Sequence, residues 1–247
     1  MRNILLIASK ELRSYLTSPM AYIVVCIFLL LSGLFFVLYL QNTNFNDTTI
    51  QGFIDPLSVF GVQSGGNILL LLFAVILTMR ALAEEKKLGT LELLLTSPVR
   101  DSDVVLGKFL GSMGILIIML VLTLLYPILL IIMGDPDMGP IWTSYLGLFL
   151  LGVTALSIGI FGSSITSNQI VAAVVSGAII FALWILGIVA GSVPEVFQEV
   201  LSYISISDHA VGFESGVIDT RDIVYYLSIT SLFLYFSIRS LEASRWN

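Results

Sequence analysis

The chain has 247 residues, of which 57% are hydrophobic and only 11% are charged. Soluble globular domains carry about 25% charged residues, so this composition excludes an ordinary soluble enzyme and a disordered chain, and it indicates an integral membrane protein. The formal net charge of −6 leaves no basic surface for nucleic acid, and the single cysteine, Cys26, excludes an intrachain disulfide and a cysteine metal cluster.

Residues 1–18 are too short and too polar to cross a membrane, but they have the pattern of an amphipathic helix. Its apolar stripe contains Ile4, Leu5, Ala8, Leu12, Tyr15 and Leu16, and its opposite side contains Arg2, Lys10 and Arg13. We expect an interfacial helix on the cytoplasmic side, where the cations meet anionic lipid headgroups. A plain positively charged flank for the first span is the alternative.

Stretches without charged residues predict six transmembrane helices, because a spanning helix needs about 20 mostly apolar residues. The six spans lie at about 21–40, 67–83, 104–133, 141–163, 169–191 and 222–240. The polar run Ser163–Gln169 is the predicted turn between the fourth and fifth spans. The fold class is therefore an all-α integral membrane protein with a single transmembrane domain, residues 1–247.

The distribution of Lys and Arg predicts the orientation, since these residues accumulate in cytoplasmic loops. With six spans, ten of the 11 Lys and Arg residues fall on the side that holds both termini, and only Arg221 falls on the other side. We therefore expect a multi-pass protein of the cell (inner, cytoplasmic) membrane with both termini in the cytoplasm.

Residues 84–103 (EEKKLGTLELLLTSPVRDSD) form the one sizeable cytoplasmic loop of this topology. As a helix ended by Pro98, the segment has a broad leucine face and a narrow exposed strip. The strip contains Glu85, Gly89, Glu92 and Thr96. Such a helix suits docking to a protein partner through its carboxylates. A helix that only anchors the loop in the interface is the alternative.

On the other side of the membrane, residues 194–221 are predicted to form an outer re-entrant loop, because moderately apolar pieces of 10–14 residues are more often re-entrant or interfacial than spanning. The glycine pairs Gly107/Gly111 and Gly187/Gly191 have the spacing of close helix contacts. Since that spacing is common by chance in glycine-rich spans, it carries little weight.

The sequence offers no catalytic, metal-binding or cofactor-binding residue. Gly107–Lys108 lacks the remaining residues of a P-loop, and the one histidine, His209, is interpreted as an ordinary loop residue outside the membrane. No acid or base lies near the middle of any predicted span, which argues against an ion-coupled carrier. Energy would then enter from elsewhere, through the cytoplasmic helix.

The segment Glu85–Val99 (EKKLGTLELLLTSPV), followed by Val104–Lys108 (VVLGK), resembles the signature of ABC-2 type transporter permeases. That signature has an acid, a base, then GT[LI]E.LL.[ST]P, and closes with GK at the third span. The stretch Ser207–Leu227 is similar to permeases of the gliding-motility and copper-processing subgroups.

The resemblance implies a half-transporter with a type V exporter-like fold. Two permeases, either two copies of this chain or this chain and a related one, would pair in the bilayer, each on a cytoplasmic ABC ATPase subunit that binds ATP and magnesium. Residues 84–103 would be the coupling loop. The implied ATPase-coupling residues are Glu85, Gly89, Thr90, Leu91, Glu92 and Pro98, and the second cytoplasmic contact comprises Ser164, Thr166 and Asn168.

The function that we expect from the resemblance is export of an unidentified substrate, driven by ATP hydrolysis in the separate subunit. The alternative is a mechanotransmission subunit that couples ATP hydrolysis to an extracytoplasmic partner without moving a solute. A membrane enzyme and a secondary carrier are the remaining hypotheses.

Overall fold

A computed structural model describes residues 2–42, 66–90, 100–133 and 138–244, and within these ranges every regular element is a helix. In chain order the helices are α1 (Arg2–Thr17), α2 (Pro19–Asn42), α3 (Gly66–Thr78), α4 (Ala83–Lys87), α5 (Asp101–Thr123), α6 (Leu125–Met133), α7 (Met138–Ile165), α8 (Gln169–Ala190), α9 (Glu195–Ile204), α10 (Asp208–Glu214) and α11 (Thr220–Ala243).

Five helical segments are long and apolar enough to cross a membrane. They lie at Pro19–Val37, Asp101–Ile132, Met138–Ile165, Gln169–Ala190 and Thr220–Ala243. The structure thus supports an all-helical, multi-pass membrane protein. At the predicted second span, α3 is apolar but has 13 residues in its described part, which is fewer than a bilayer requires. The sixth crossing therefore remains a proposal.

The third predicted span, 104–133, is divided into α5 and α6 by a turn at Leu124, rather than forming one uninterrupted helix. Pro127 explains the break, because proline has no N–H for the carbonyl of Thr123 and its ring clashes with that carbonyl. The amide of Leu124 donates a hydrogen bond to the carbonyl of Val121, three residues before it, at 3.2 Å. The hydroxyl of Thr123 accepts a hydrogen bond from Tyr145 of α7 at 3.2 Å.

Helix α7 lies at the centre of the bundle. In its most apolar stretch of 18 residues 83% are buried, compared with 17% in the corresponding stretch of α8. Its glycines allow neighbours to approach its backbone: a Cβ on Gly152 would lie 2.8 Å from Leu116 of α5, and one on Gly147 would lie 2.8 Å from Phe213 of α10. Small residues serve this purpose in membranes, where packing rather than exclusion of water drives helix association.

Hydrogen bonds define two opposite ends of the bundle. At the end that holds α4, Ser240 of α11 donates to the carbonyl of Ser164, where α7 finishes, at 3.0 Å. At the end that holds α10, Thr143 near the start of α7 donates to the carbonyl of Phe213 at 2.7 Å. We call these the α4 end and the α10 end; α9 and α10 lie at the latter, away from α1 and α4.

Candidate functional site

The short helix α4 begins the segment that was predicted to dock a partner. It ends at Lys87, and Gly89 has a φ of 69°. A left-handed backbone is costly for residues with a Cβ, so glycine is favoured at this point. The prediction of one continuous helix that aligns Glu85 and Gly89 in a single strip is therefore wrong. The glycine turns the chain after α4.

The predicted coupling residues are only partly within the described ranges. Glu85 belongs to α4, and the hydroxyl of Thr90 donates to its carbonyl at 3.3 Å, which closes the turn around Gly89. Leu91, Glu92 and Pro98 lie outside the described residues, so their predicted roles stay predictions.

Ser163 ties the start of α4 to the end of α7. Its hydroxyl oxygen accepts hydrogen bonds from the backbone N–H groups of Leu82 and Ala83, both at 2.9 Å, and its hydroxyl donates to the carbonyl of Met79 at 3.2 Å. Ser163, Leu82 and Ala83 are all fully buried. Because the first amides of a helix have no partner within the helix, the serine satisfies donors that would otherwise be buried without an acceptor.

Lys86 makes a second connection between the same two segments. Its amine donates to the carbonyl of Ser164, the same oxygen that Ser240 contacts. Partial burial lowers the pKa of Lys86. The two predicted cytoplasmic contact regions, one beginning at α4 and the other at the α7–α8 turn, are therefore joined to each other in the structure.

The residues of the predicted second contact have different positions. The side chain of Ser164 is fully buried and donates to the carbonyl of Phe161 at 2.7 Å, so it does not face a partner. The side chain of Asn168 accepts from the amide of Ile170 at 2.9 Å and caps α8, while Thr166 accepts from the amide of Asn168 at 3.1 Å. Asn168, a predicted contact, therefore also serves as the N-cap of α8.

Lys108 is a buried cation that joins three helices. Its amine lies 2.8 Å from a carboxylate oxygen of Glu85 in α4 and 3.5 Å from one of Glu11 in α1. The Lys108 side chain is 4% exposed, and those of Glu85 and Glu11 are 28% and 20% exposed. A buried ammonium requires a charged partner. Glu85, which the helical pattern places on the exposed strip, is thus paired within the protein and keeps 28% exposure; its predicted role in coupling stays a prediction.

Helix α1 packs along the start of α5 rather than on the lipid alone. A Cβ on Gly107 would lie 2.6 Å from Ile7, and one on Gly111 would lie 2.7 Å from Glu11. The predicted apolar stripe is divided between two environments: Tyr15 is 8% exposed and Leu12 packs against the core, whereas Leu5 is 65% exposed. Lys108 and the two glycines explain why Glu11 also faces the bundle, and the Gly107/Gly111 spacing was the sequence signal for this contact.

A polar cavity of about 360 Å³ lies among α1, α4 and the start of α5. Its charged lining residues are Glu11, Arg80, Glu84, Glu85 and Lys108. The hydroxyl of Tyr15, another lining residue, donates to the carbonyl of Leu77 at 2.8 Å, and burial, together with nearby Glu11, raises the pKa of Tyr15 to about 12. In the described part of the chain, no group of three or more His, Cys, Asp or Glu residues could hold a metal ion.

At the α10 end the structure corrects a further interpretation. His209 is not an exposed loop residue: it lies on α10, is 8% exposed and contacts Asp222 of α11. The sequence spacing gave no sign of this pair. Lys108 and Ser163 were likewise missed as functional candidates, because their partners are distant in the sequence.

Comparison with known families identifies one match. The family model for the ABC-2 family transporter protein matches residues 5–244, nearly the whole chain. A comparison with curated proteins finds no match. Because the family match includes α1, α4, the α7–α8 turn and every candidate span, it applies to the bundle as a whole, and the chain belongs to the ABC-2 family of transporter proteins.

Proposed function

We propose that this chain is the permease subunit that couples ATP hydrolysis in a separate ATPase subunit to export of a substrate. Its family makes it the membrane component of an ABC transporter and implies an ATPase partner. The observation that carries the finer proposal is the junction at the α4 end, where Ser163, Lys86 and Lys108 fix α4 to α7, α1 and α5.

The junction is suited to transmit force because it combines buried hydrogen bonds at Ser163 with the ion pair of the buried Lys108. Lys108 connects α4 to α5, which leads into one of the candidate spans. Ser163 connects α4 to α7, the most buried candidate span. A displacement of α4 by a partner would therefore reach two spanning helices through direct bonds. Interfaces of this kind respond as discrete packed elements rather than deforming continuously.

The surface of the junction supports a protein partner. Leu88, which follows α4, is 66% exposed, and Ile165 and Ile170, on either side of the α7–α8 turn, are 52% and 74% exposed. The two joined segments thus offer apolar side chains beside the polar turn. We assign to this surface and to residues 91–98 the contact with the ATPase, with Leu91, Glu92 and Pro98 kept as proposed coupling residues.

The proposed topology places the α4 end and both termini in the cytoplasm, and the α10 end outside. The Lys and Arg distribution supports it, since among the residues that the structure describes Arg221 is the one Lys or Arg at the α10 end. The α9–α10 connection supports the proposed re-entrant segment, because Ile206 is 1% exposed and its amide donates to the carbonyl of Leu183 of α8 at 3.2 Å. We propose that a second permease completes the transporter.

The test uses the permease and its ATPase subunit purified together in lipid nanodiscs. The rate of ATP hydrolysis is compared with that of the ATPase subunit alone, for the wild type and for Lys108→Met. We expect the permease to change the rate in the wild type and Lys108→Met to abolish this change while the ATPase subunit stays bound. The matched control is Glu242→Gln, which removes an exposed carboxylate paired with Arg239 at 2.7 Å.

Two results would overturn the proposal. An ATPase whose rate is the same with and without the wild-type permease would contradict coupling altogether. A normal response in Lys108→Met, with the ion pair demonstrably removed, would contradict transmission through the junction while leaving the permease assignment intact.

A further inference from the structure

His209 has acceptors on both of its ring nitrogens. Nδ1 lies 2.7 Å from a carboxylate oxygen of Asp222, and Nε2 lies 3.0 Å from the carbonyl oxygen of Tyr203. The imidazole also stacks on the ring of Tyr225, with centroids 3.9 Å apart and an angle of 21° between the planes. Three elements therefore meet at this one side chain: α9 through Tyr203, α10 through His209 and α11 through Asp222.

The chemistry of imidazole makes this arrangement dependent on protonation. A neutral ring has one N–H donor and one lone pair, so it can satisfy only one of the two acceptors, whereas the imidazolium donates from both nitrogens. The Asp222 carboxylate balances the positive charge, and the face of the Tyr225 ring attracts a cation. Loss of the second proton would turn a ring lone pair toward an oxygen lone pair at one contact.

The other ionisable groups near the ring come from the elements packed against it. Besides Asp222 and Tyr225, α11 carries the exposed Arg221, and Asp219 caps the helix. Helix α9 carries the exposed Glu199 and Tyr203, whose ring meets the imidazole edge-on with centroids 5.8 Å apart. On α10, Asp208 accepts hydrogen bonds from Ser205 and Ser207, and Glu214 lies at the far end of the helix. Helices α7 and α8 contain no Asp, Glu, Lys, Arg or His, and Tyr145 of α7 donates to Thr123.

The α9–α10 hairpin (residues 195–214) is attached to the bundle by several contacts besides that of His209. Between its helices, Ile206 is inserted into the bundle, where its carbonyl accepts from Tyr226 of α11 at 2.9 Å. Gly187 of α8 leaves the space for this connection, because a Cβ there would lie 2.6 Å from the hydroxyl of Ser205. The His209–Asp222 pair adds a further link between the hairpin and α11, and this link is charged when the imidazole is protonated.

We propose that His209 and Asp222 form a proton-responsive latch that holds the α9–α10 hairpin against α11 when the imidazole is doubly protonated and loosens it when the second proton is lost. Histidine is the side chain that ordinarily changes charge between about pH 5 and 8. In the proposed topology the latch faces the extracytoplasmic side, so it would make the outer mouth of the permease sensitive to the pH of that compartment. Only this choice of compartment rests on the proposed function.

The test uses the full chain in lipid nanodiscs, purified without a polyhistidine tag and labelled with nitrogen-15 histidine. Because the chain contains one histidine, both ring signals report on His209. We expect both nitrogens to resonate as N–H at about pH 5.5 and one of them to lose its proton by about pH 8.5. Amide exchange in the hairpin should then increase about tenfold or more, beyond the intrinsic pH dependence measured on amides of α7.

Two aspartate variants separate the latch from a general effect of charge. Asp222→Asn should cause the doubly protonated signal to be lost at a lower pH and should raise exchange in the hairpin already at about pH 5.5. Asp219→Asn is the control, because asparagine preserves the N-cap hydrogen bond to the amide of Arg221. In the control, ring signals and exchange should match the wild type.

His209→Gln provides the decisive variant, since glutamine can hydrogen-bond but does not titrate. In this variant, amide exchange in the α9–α10 hairpin should no longer depend on pH beyond the intrinsic dependence measured on α7. A His209 ring that stays neutral from about pH 5.5 to 8.5, a titrating ring with unchanged exchange, or a persistent pH response in His209→Gln would each overturn the latch. No ATPase is present in these measurements, so their outcome is independent of the proposed coupling.

Discussion

The amine of Lys108 lies 2.8 Å from a carboxylate oxygen of Glu85, although the two residues belong to different helices and Lys108 is buried. Glu85 opens the segment that resembles the family signature, and Lys108 closes it. An ion pair thus joins the two ends of this segment. Glu11 of α1, 3.5 Å from the same amine, adds the N-terminal helix to the pair.

We expect Lys108→Met to destabilise the protein, because it leaves Glu85 and Glu11 close together without their cation. Breaking a buried ion pair costs about 3–5 kcal/mol, and the partial exposure of both carboxylates places this variant at or below the lower end of that range. Thermal unfolding in detergent measures the effect. The double variant Lys108→Met/Glu85→Gln should recover part of the loss, and an additive double variant would show that the pair is not coupled.

Ser163 and Ser164 offer a matched pair of substitutions. Ser163→Ala removes the acceptor for two buried amides, those of Leu82 and Ala83, at a cost of roughly 1–3 kcal/mol for each amide left unsatisfied. Ser164→Ala should have a smaller effect, because the carbonyl of Ser164, which the substitution retains, makes the contact with Lys86. Equal losses of thermal stability in the two variants would contradict the anchoring of α4 by Ser163.

The packing of α1 on α5 predicts a cost for a single methyl group at Gly107. Gly107→Ala would place Cβ 2.6 Å from Ile7 and 3.2 Å from the carbonyl of Ile4, and overpacking of this kind costs about 1–3 kcal/mol. Gly177→Ala is the control, since nothing lies within 4 Å of a Cβ there. A Gly107→Ala protein as stable as Gly177→Ala would show that α1 does not pack on this face.

The orientation can be tested with cysteines at exposed serines of the two ends. In a Cys26→Ser background, Ser215→Cys lies at the α10 end and Ser167→Cys lies in the α7–α8 turn at the α4 end. A membrane-impermeant maleimide applied to intact cells should label Ser215→Cys and leave Ser167→Cys unlabelled until the membrane is opened. The reverse pattern would contradict the proposed topology.

Much of the fold could be predicted from the sequence, because a bilayer imposes long apolar helices with few charges. The break at Leu124 also has a local cause in Pro127. The inward position of Glu11 on α1 could not be read from the periodicity, since its partner is Lys108, 97 residues away. A helical pattern shows which residues share a face, but it does not show which carboxylate on that face will pair with a buried cation of another helix.

The candidate site shows the same limit. The signature indicated where the coupling segment begins, and Gly89 could have indicated a break, because glycine is the residue that takes a left-handed backbone readily. The side chain of Ser163 gave no signal, since a serine at the end of an apolar span is as consistent with a surface turn as with an anchor. For His209, burial depends on how α10 packs on α7 and α11, and the local sequence does not encode this packing by itself.

The proposed partnership joins this permease to an ABC ATPase through the segment that begins at α4. The most direct measurement is purification of the tagged chain from native membranes, with mass spectrometry of the proteins that accompany it, for the wild type and for Glu92→Lys. We expect an ABC ATPase subunit to be recovered with the wild-type chain and to be lost with Glu92→Lys. The wild-type and variant chains should insert into the membrane equally well. Recovery of the permease alone, under conditions that keep other membrane complexes intact, would contradict the claim.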